Sequence, residues 1–369
     1  MKTLHEKIRG KFKTIAKNQS SLKWSLPILF LFATPLVWSS DARLFIENEK
    51  NSINVFQSTS DSVLNVSNMK TARNIFDFDA SDVQAGMGSG FVWDKDGHIV
   101  TNFHVVDGGD NFLIAFKNDK KQYKAKFVGA DPKKDIAVLK LQELPKNLKP
   151  INVGESKNLQ VGQKALAIGS PLGLDHTLTT GSISALERKI MGYGGVSIYG
   201  MIQTDAAINP GNSGGVLLDS AGKLIGMNTM IFNGSGAQAS AGLGFAIPVD
   251  TIKQVVPQLI KFGKVIRPGL GIVVLEPQYA YRFGINNGVM IKYVDPKSPA
   301  SKAGLKGITR NKRGEYFFGD IITSINNDDI KSFDELYNVL DNFKVGDKVK
   351  IKYLRDKKEY SADVTLIQI

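Results

Sequence analysis

From Gly86 to Ile247 short apolar runs alternate with turn-forming residues. GSGFVWD, HIVTNFHVV, FLIAFKN, DIAVLKL, KALAIGS, GVLLD and KLIGMNT are each followed within a few positions by Gly, Pro, Asn or Asp. Runs of this length and β-branched content predict strands packed into a sandwich or barrel. A helical period first appears at 248–262, where Ile252, Val255, Val256, Leu259 and Ile260 recur at i, i+3, i+4, i+7 and i+8 behind Asp250; this predicts an amphipathic helix that closes a first domain. Residues 263–268 then read as a linker to a second domain over 269–369. Residues 43–85 are polar and weakly patterned. They read as a linker that docks on the first domain, with a short helix near Ile53–Phe56 and a strand-like Ser62–Val66. The loop 185–200, rich in glycine and mixed in charge, reads as either a flexible or a regulatory loop.

The N-terminus adds a topological signal. Lys2, Lys7, Arg9, Lys11, Lys13, Lys17 and Lys23 face Glu6 alone, and the uncharged WSLPILFLFATPLVW of Trp24–Trp38 follows, before Ser39-Ser40-Asp41. A basic flank ahead of an apolar segment holds the tail in the cytoplasm and sends the rest across the membrane. Residues 1–42 are therefore a basic tail plus a signal or membrane anchor at 24–40. The apolar length falls between a signal core and a full span, with small residues Ser40 and Ala42 favouring cleavage and the long basic stretch favouring an anchor. That tail also carries half of the net charge of +12. The remainder is scattered without aromatic interleaving, which argues against nucleic-acid binding. The chain has no cysteine, so thiol catalysis, disulfides and Cys-ligated zinc are excluded.

Two segments carry chemistry. In Asn209-Pro210-Gly211-Asn212-Ser213-Gly214-Gly215 the glycines permit a sharp turn that leaves the Ser213 hydroxyl accessible and aims the Gly211 and Ser213 N–H groups into one pocket. A serine nucleophile needs such donors for its oxyanion, and also a base. Taken alone the cluster could be an ordinary turn. The base is offered by His104, in the segment TNFHVV that ends a strand-like run, and Asp135 opens the run DIAVL. The chain order His, Asp, Ser is that of the trypsin-like triad. Asp131 competes with Asp135 for the role of acid, but Pro132 marks a turn directly after it.

Residues 86–369 resemble the HtrA (Deg) family of PDZ-containing serine proteases, nearest to its single-PDZ members such as the plastid Deg proteases. GSGFVWDKDGHIVTNFHVV, DIAVLKL, VGQKALAIGSPLGLDHTLTTGSIS, IQTDAAINPGNSGGVLLDSAGKLIGMNT and GLGFAIPVD carry the likeness across the first domain; Val216 departs from it, standing where the family usually has proline. The resemblance implies a mostly β chain: an N-terminal apolar segment, a trypsin-like double β-barrel protease domain over 86–262, and one PDZ domain over 269–369. It implies His104 as general base, Asp135 as its orienting acid, Ser213 as nucleophile, and the Gly211 and Ser213 amides as oxyanion hole. In this fold Ala207, six residues before the nucleophile, sets the base of the S1 pocket, with Ile208 beside it and Ile231 opposite. No acid stands there, so small or aliphatic P1 residues are expected.

Arg267-Pro268-Gly269-Leu270-Gly271-Ile272 resembles a PDZ carboxylate-binding loop, with Gly269, Leu270, Gly271 and Ile272 holding peptide C-termini through backbone N–H groups. The basic insert Gly307–Tyr316 is expected to be a solvated hairpin. The function implied is ATP-independent degradation of unfolded or damaged exported polypeptides by a homotrimer or larger assembly, with oligomer contacts in 43–85. No metal or nucleotide motif is present, so no cofactor is expected. Two alternatives stand beside it: a membrane-anchored regulatory protease that cuts one signalling substrate, and a holdase chaperone or PDZ scaffold. The leader favours a periplasmic location over a thylakoid lumen.

Overall fold

Antiparallel pairing turns the apolar runs into two closed six-stranded barrels. The computed structural model describes residues 45–73, 80–171, 176–192, 197–229 and 242–369, so the signal or anchor expected at 24–40 lies outside the described residues. Among those described, no helix is long and apolar enough to cross a membrane. The chain enters through helix α1 (Glu47–Thr59). The first barrel comprises β1 (Val63–Arg73), β2 (Ala80–Val92), β3 (His98–Thr101), β4 (Asn111–Phe116), β5 (Gln122–Asp131) and β6 (Ile136–Leu141), closed in the order β1-β2-β3-β6-β5-β4. A one-turn helix, α2 (Phe103–Val106), follows β3. The second barrel comprises β7 (Lys164–Gly169), β8 (Thr177–Met191), β9 (Ser197–Thr204), β10 (Val216–Leu218), β11 (Leu224–Thr229) and β12 (Gly244–Pro248), closed in the order β10-β11-β12-β9-β8-β7.

Three expectations are corrected. The first domain does not begin at residue 86, which falls inside β2: the barrel closes only through β1, which pairs with β2 on one side and β4 on the other. Residues 63–73 and 80–85 are therefore barrel strands rather than a linker. The helix ahead of them is longer than expected and docks on the second barrel, where Lys164 Nζ donates to Asn48 Oδ1 (2.7 Å), Asn51 Oδ1 (3.0 Å) and Ser52 Oγ (2.8 Å). Most of the loop expected at 185–200 is a strand pair, β8 with β9, whose ladder shifts register three times. Such irregularities admit extra residues without breaking the pairing.

The expected closing helix, α3 (Val249–Phe262), packs against β5 and β6 of one barrel and β11 and β12 of the other. Ile252, Val256 and Leu259 are fully buried, each stabilising the junction by about 1.5–3 kcal/mol. They join a core that runs through both barrels, from Phe91 and Val138 to Leu166 and Met227. Gly263, left-handed at φ 72°, ends the helix.

The C-terminal domain has its own core around Ile291, Ile322, Leu336, Ile351 and Val364. Its elements are β13 (Pro268–Gly269), β14 (Ile272–Val274), α4 (Pro277–Arg282), β15 (Val289–Val294), α5 (Pro299–Lys302), β16 (Thr309–Arg310), β17 (Tyr316–Phe317), β18 (Ile321–Ile325), β19 (Asp328–Asp329), α6 (Phe333–Leu340), β20 (Lys348–Arg355), β21 (Lys358–Thr365) and β22 (Ile367–Gln368). The main sheet runs β14-β15-β18-β20-β21, which leaves β14 on an edge. The basic insert forms the exposed hairpin β16–β17.

Candidate active site

The turn between β5 and β6 delivers Asp135 to α2. His104 Nδ1 lies 2.9 Å from Asp135 Oδ2 and 3.1 Å from Oδ1, and the His104 backbone N–H donates to Oδ1 at 3.0 Å. Asp135 adopts a left-handed backbone (φ 54°), which Asp accepts more readily than most residues. Its carbonyl accepts from the Phe103 N–H (3.2 Å) and from Asn102 Nδ2 (3.0 Å), so backbone and side chain are both fixed. At 2% exposure the carboxylate must fill its lone pairs from the protein; Thr229 completes the set, its Oγ1 donating to Oδ2 at 3.0 Å. A carboxylate facing Nδ1 places the imidazole proton there and leaves Nε2 as the basic nitrogen.

Ser213 lies between β9 and β10 in a loop shaped by two left-handed glycines, Gly211 (φ 93°) and Gly214 (φ 84°). A side chain at Gly214 would put its Cβ 2.1 Å from the Ser89 carbonyl oxygen, so this position tolerates only glycine. Ser89 of β2 clamps the loop from the first barrel. Its N–H donates to the Ser213 carbonyl (2.8 Å) and its Oγ to the Gly211 carbonyl (2.6 Å). From the second barrel, the Asn228 carbonyl accepts from the Gly214 N–H at 2.9 Å. The next residue, Thr229, is the one that holds Asp135. The serine loop and the His–Asp pair thus hang from the same strands.

Asp131 has a different task. It pairs with Arg267, whose Nε also reaches Asp341 Oδ1 at 3.2 Å, and Lys134 lies 3.3 Å from Asp341 Oδ2. These contacts dock the C-terminal domain against the β5–β6 turn. The opposing carboxylates hold the Arg267 guanidinium above its ordinary range, although burial acts against this as the largest single influence.

Of the expected S1 residues, Ile208 is buried in an apolar cluster with Ile202 and Ala206. A Cβ on Gly244 would come within 2.7 Å of it. Ala207 is half-buried and its carbonyl accepts from Thr179 Oγ1 (2.9 Å). Ile231 lies outside the described residues. The four residues of the expected carboxylate loop line one groove of about 410 Å³, with Gly271 left-handed at φ 73°; α6 forms its opposite wall through Phe333, Leu336, Tyr337 and Leu340. Asp94, Asp96 and His98 also cluster, but there Asp94 is engaged by the Asp96 and His98 N–H groups and by His98 Nδ1, which closes the β2–β3 turn.

Sequence reading missed Thr229, Ser89 and Asn102. All three lie inside stretches that carry the family likeness, and Asn102 stands two residues before His104. Thr229 ends β11 far from His104 and Asp135 in sequence, and only the tertiary fold brings it to Asp135.

Comparison with known proteins agrees with this architecture. The model of the trypsin-like peptidase domain matches residues 88–227, and that of the PDZ domain matches residues 268–366. Protease Do-like 1, chloroplastic, of Arabidopsis thaliana is 47% identical over 339 residues, covering 91% of this chain and 74% of its own length. A probable periplasmic serine endoprotease DegP-like of a Marinomonas species is 41% identical over 287 residues, covering 77% of this chain and 57% of its own. Among solved structures, the HtrA-type protease AlgW with decapeptide superposes with a TM-score of 0.65 at 31% identity, covering 86% of this chain and 98% of that one. The serine endoprotease from Yersinia pestis gives a TM-score of 0.60 at 30% identity, with the same two coverages. With the peptidase fold, the His–Asp pair, the glycine-framed serine and a single PDZ domain all present in one chain, this protein belongs to the HtrA (Do-like) family of serine proteases.

Proposed function

We propose that this chain is an exported endopeptidase that degrades unfolded or damaged polypeptides without ATP, with Ser213 as nucleophile, His104 as general base and Asp135 as its orienting acid. The observation that carries this reading is the approach of both Asp135 oxygens to His104 Nδ1, in a site where Thr229 supplies the remaining donor. His104 Nε2 takes the Ser213 proton as Oγ attacks the scissile carbonyl, and the Gly211 and Ser213 N–H groups receive the oxyanion. Asp135 stabilises the imidazolium, which then protonates the leaving amine. Water repeats the sequence on the acyl-enzyme. The buried apolar surface at Ile208 and the absence of an acid at Ala207 favour small or aliphatic P1 residues.

The groove beside Gly269–Ile272 takes peptide C-termini, the peptide adding a strand to the edge of β14. Phe45 and Ile46, exposed ahead of α1, offer apolar surface for the trimer contact. Relatives are named for the periplasm and the chloroplast, and the basic leader favours a periplasmic location with residues 24–40 as anchor. Digestion of an unstructured model protein, with cut sites mapped by mass spectrometry, tests the reading. Many cuts after Val, Ala or Ile, absent in Ser213→Ala, are expected; no cleavage under any condition would refute it.

A second reading is favoured by the contact of Arg267 with Asp131, four residues before Asp135. In this reading the chain is a regulatory protease in which the state of the PDZ domain sets activity. Cleavage that starts only when a C-terminal peptide is added, and only at one or two sites, separates it from the first.

A further inference from the structure

The peptide groove is not built from the PDZ domain alone. Lys133, from the β5–β6 turn of the protease domain, is among its lining residues. Its ammonium stands 3.0 Å from the centroid of the Tyr337 ring and 5.4 Å from that of Phe333, both on the groove face of α6. An aromatic face balances a cation only in part; of the three carboxylates that act on Lys133, Asp131 and Asp341 are committed elsewhere, and Asp334 makes no ion pair with it. Asp131 is paired with Arg267, and Asp341 with Arg267 and Lys134. Among the described residues none forms an ion pair with Lys133. Burial, with the Arg267 guanidinium adding to it, pushes the Lys133 ammonium down to about 8, against the partial support of Asp131, Asp341 and Asp334. A half-buried cation in that condition is stabilised by any anion that reaches it.

The geometry also says which anion. Arg267, next to the carboxylate loop, holds Asp341 just past the C-terminal end of α6, so that end of the groove belongs to the last residue of a bound peptide. Lys133 covers Phe333 and Tyr337, in the first two turns of the helix. A peptide laid antiparallel along β14 passes this point with residues upstream of its terminus. Leu270, Ile272, Leu336 and Leu340 in the same lining are apolar and suit an apolar terminal side chain, and Glu276 is the one acid among the lining residues.

We propose that Lys133 is a specificity residue supplied to the PDZ groove by the protease domain, and that it selects peptides with an acidic side chain upstream of an apolar C-terminal residue. The proposal rests on the peptide-binding reading of the groove given above. It makes recognition a property of the two domains together, since the selecting charge is absent from residues 268–366.

The test is fluorescence polarisation with full-length Ser213→Ala protein and labelled decapeptides ending in Val. Glu or Gln is placed at each of the second to fourth positions from the end. The best Glu peptide is expected to bind about tenfold more tightly than its Gln partner, the size of one charge-assisted contact. Lys133→Gln should bring the pair within about twofold of one another. Lys133→Arg should keep most of the preference. Lys134→Gln, a substitution of the adjacent lysine that pairs with Asp341, should keep it as well, which controls for general loss of positive charge. If Glu and Gln peptides bind wild-type protein equally, Lys133 has no selective role while the groove reading stands. If no peptide binds, both readings fall. C-terminally amidated peptides separate the two sources of carboxylate: a Glu preference that survives amidation belongs to the side chain. Equal weakening of every free-carboxylate peptide by Lys133→Gln, with no Glu preference, would assign Lys133 to the terminal carboxylate and overturn the proposal.

Discussion

Replacing Thr229 by Val isolates the part of the site that the sequence does not advertise. The two side chains have nearly the same shape, so packing is retained and only the hydroxyl donor is lost. The carboxylate of Asp135 then keeps three contacts, two to His104 Nδ1 and one to the His104 N–H, and Oδ2 loses its only other donor among the described residues. A hydrogen bond to a charged, buried acceptor contributes about 1.5–3 kcal/mol. Because the imidazolium exists only as the reaction proceeds, a displaced Asp135 weakens the transition state more than the bound substrate. With 1.4 kcal/mol per decade, kcat should fall about 10–100-fold while KM stays within about twofold. The same loss should lower the protease domain's thermal midpoint by about 3–10 °C. Steady-state hydrolysis of an internally quenched peptide, run beside a thermal melt, reads both quantities. Thr229→Ser returns the hydroxyl and should recover most of kcat. A Thr229→Val enzyme with wild-type kcat would show that the two His104 contacts suffice to orient Asp135, and the reasoning would be wrong.

Gly214→Ala forces a Cβ to 2.1 Å from the Ser89 carbonyl at a backbone φ of 84°, so labelling of Ser213 by a fluorophosphonate should slow by about a hundredfold or more; labelling at the wild-type rate would mean that the loop relaxes freely. Arg267→Met leaves Asp131 buried without its cation, a change worth about 3–5 kcal/mol, and Arg267→Met combined with Asp131→Leu should regain most of the lost denaturation midpoint if the unpaired charge is the cause. Burial pushes the Asp250 carboxyl up, but donors from Lys253 and Ser156 outweigh it and hold it at about 2. A folded value below the unfolded one gives stability that is present above about pH 4 and lost as pH falls toward 2. Asp250→Asn should therefore be less stable than wild type at pH 7, and the gap should close between about pH 4 and 2; a gap that is constant with pH would refute the assignment.

How far the sequence could be read follows from what each residue faces. Strands such as Ile136–Leu141 announced themselves because their side chains meet apolar surroundings, and the closing helix did so through its period. β1 did so only in part, as the strand-like Ser62–Val66, since two of its buried positions are Asn65 and Asn68, at 3% and 2% exposure. Their amides serve as internal donors: Asn65 Nδ2 reaches the Ser170 carbonyl (2.9 Å) and Asn68 Nδ2 the Val105 and Asp107 carbonyls (both 3.1 Å). A strand that hides amides reads as polar linker. The β8–β9 hairpin was masked by charge and glycine. His104, Asp135 and Ser213 were legible because their chemistry demands particular neighbours in sequence, whereas Lys133 was not. Within Asp131-Pro132-Lys133-Lys134 it looks like half of a solvated turn, and only the docking of the second domain makes it part of a groove.

Ser89 shows why the candidate site needs both barrels at once. Its N–H donates to the Ser213 carbonyl, its Oγ donates to the Gly211 carbonyl and accepts from the Ser170 N–H (2.8 Å), and its carbonyl accepts from Thr101 Oγ1 (2.7 Å). Thr101 ends the strand that leads to His104, and Ser170 follows the strand that pairs with β10, the element directly after Ser213. One buried residue therefore joins the approach to the base with the loop of the nucleophile, and every polar backbone group it carries is used. Separating the barrels even slightly would break three of these hydrogen bonds around a fully buried serine, those to Ser213, Gly211 and Ser170, while the bond from Thr101 stays within the first barrel. The position of Ser213 relative to His104 is thus set by directional bonds across the junction, while the shared apolar core fixes only how closely the barrels approach.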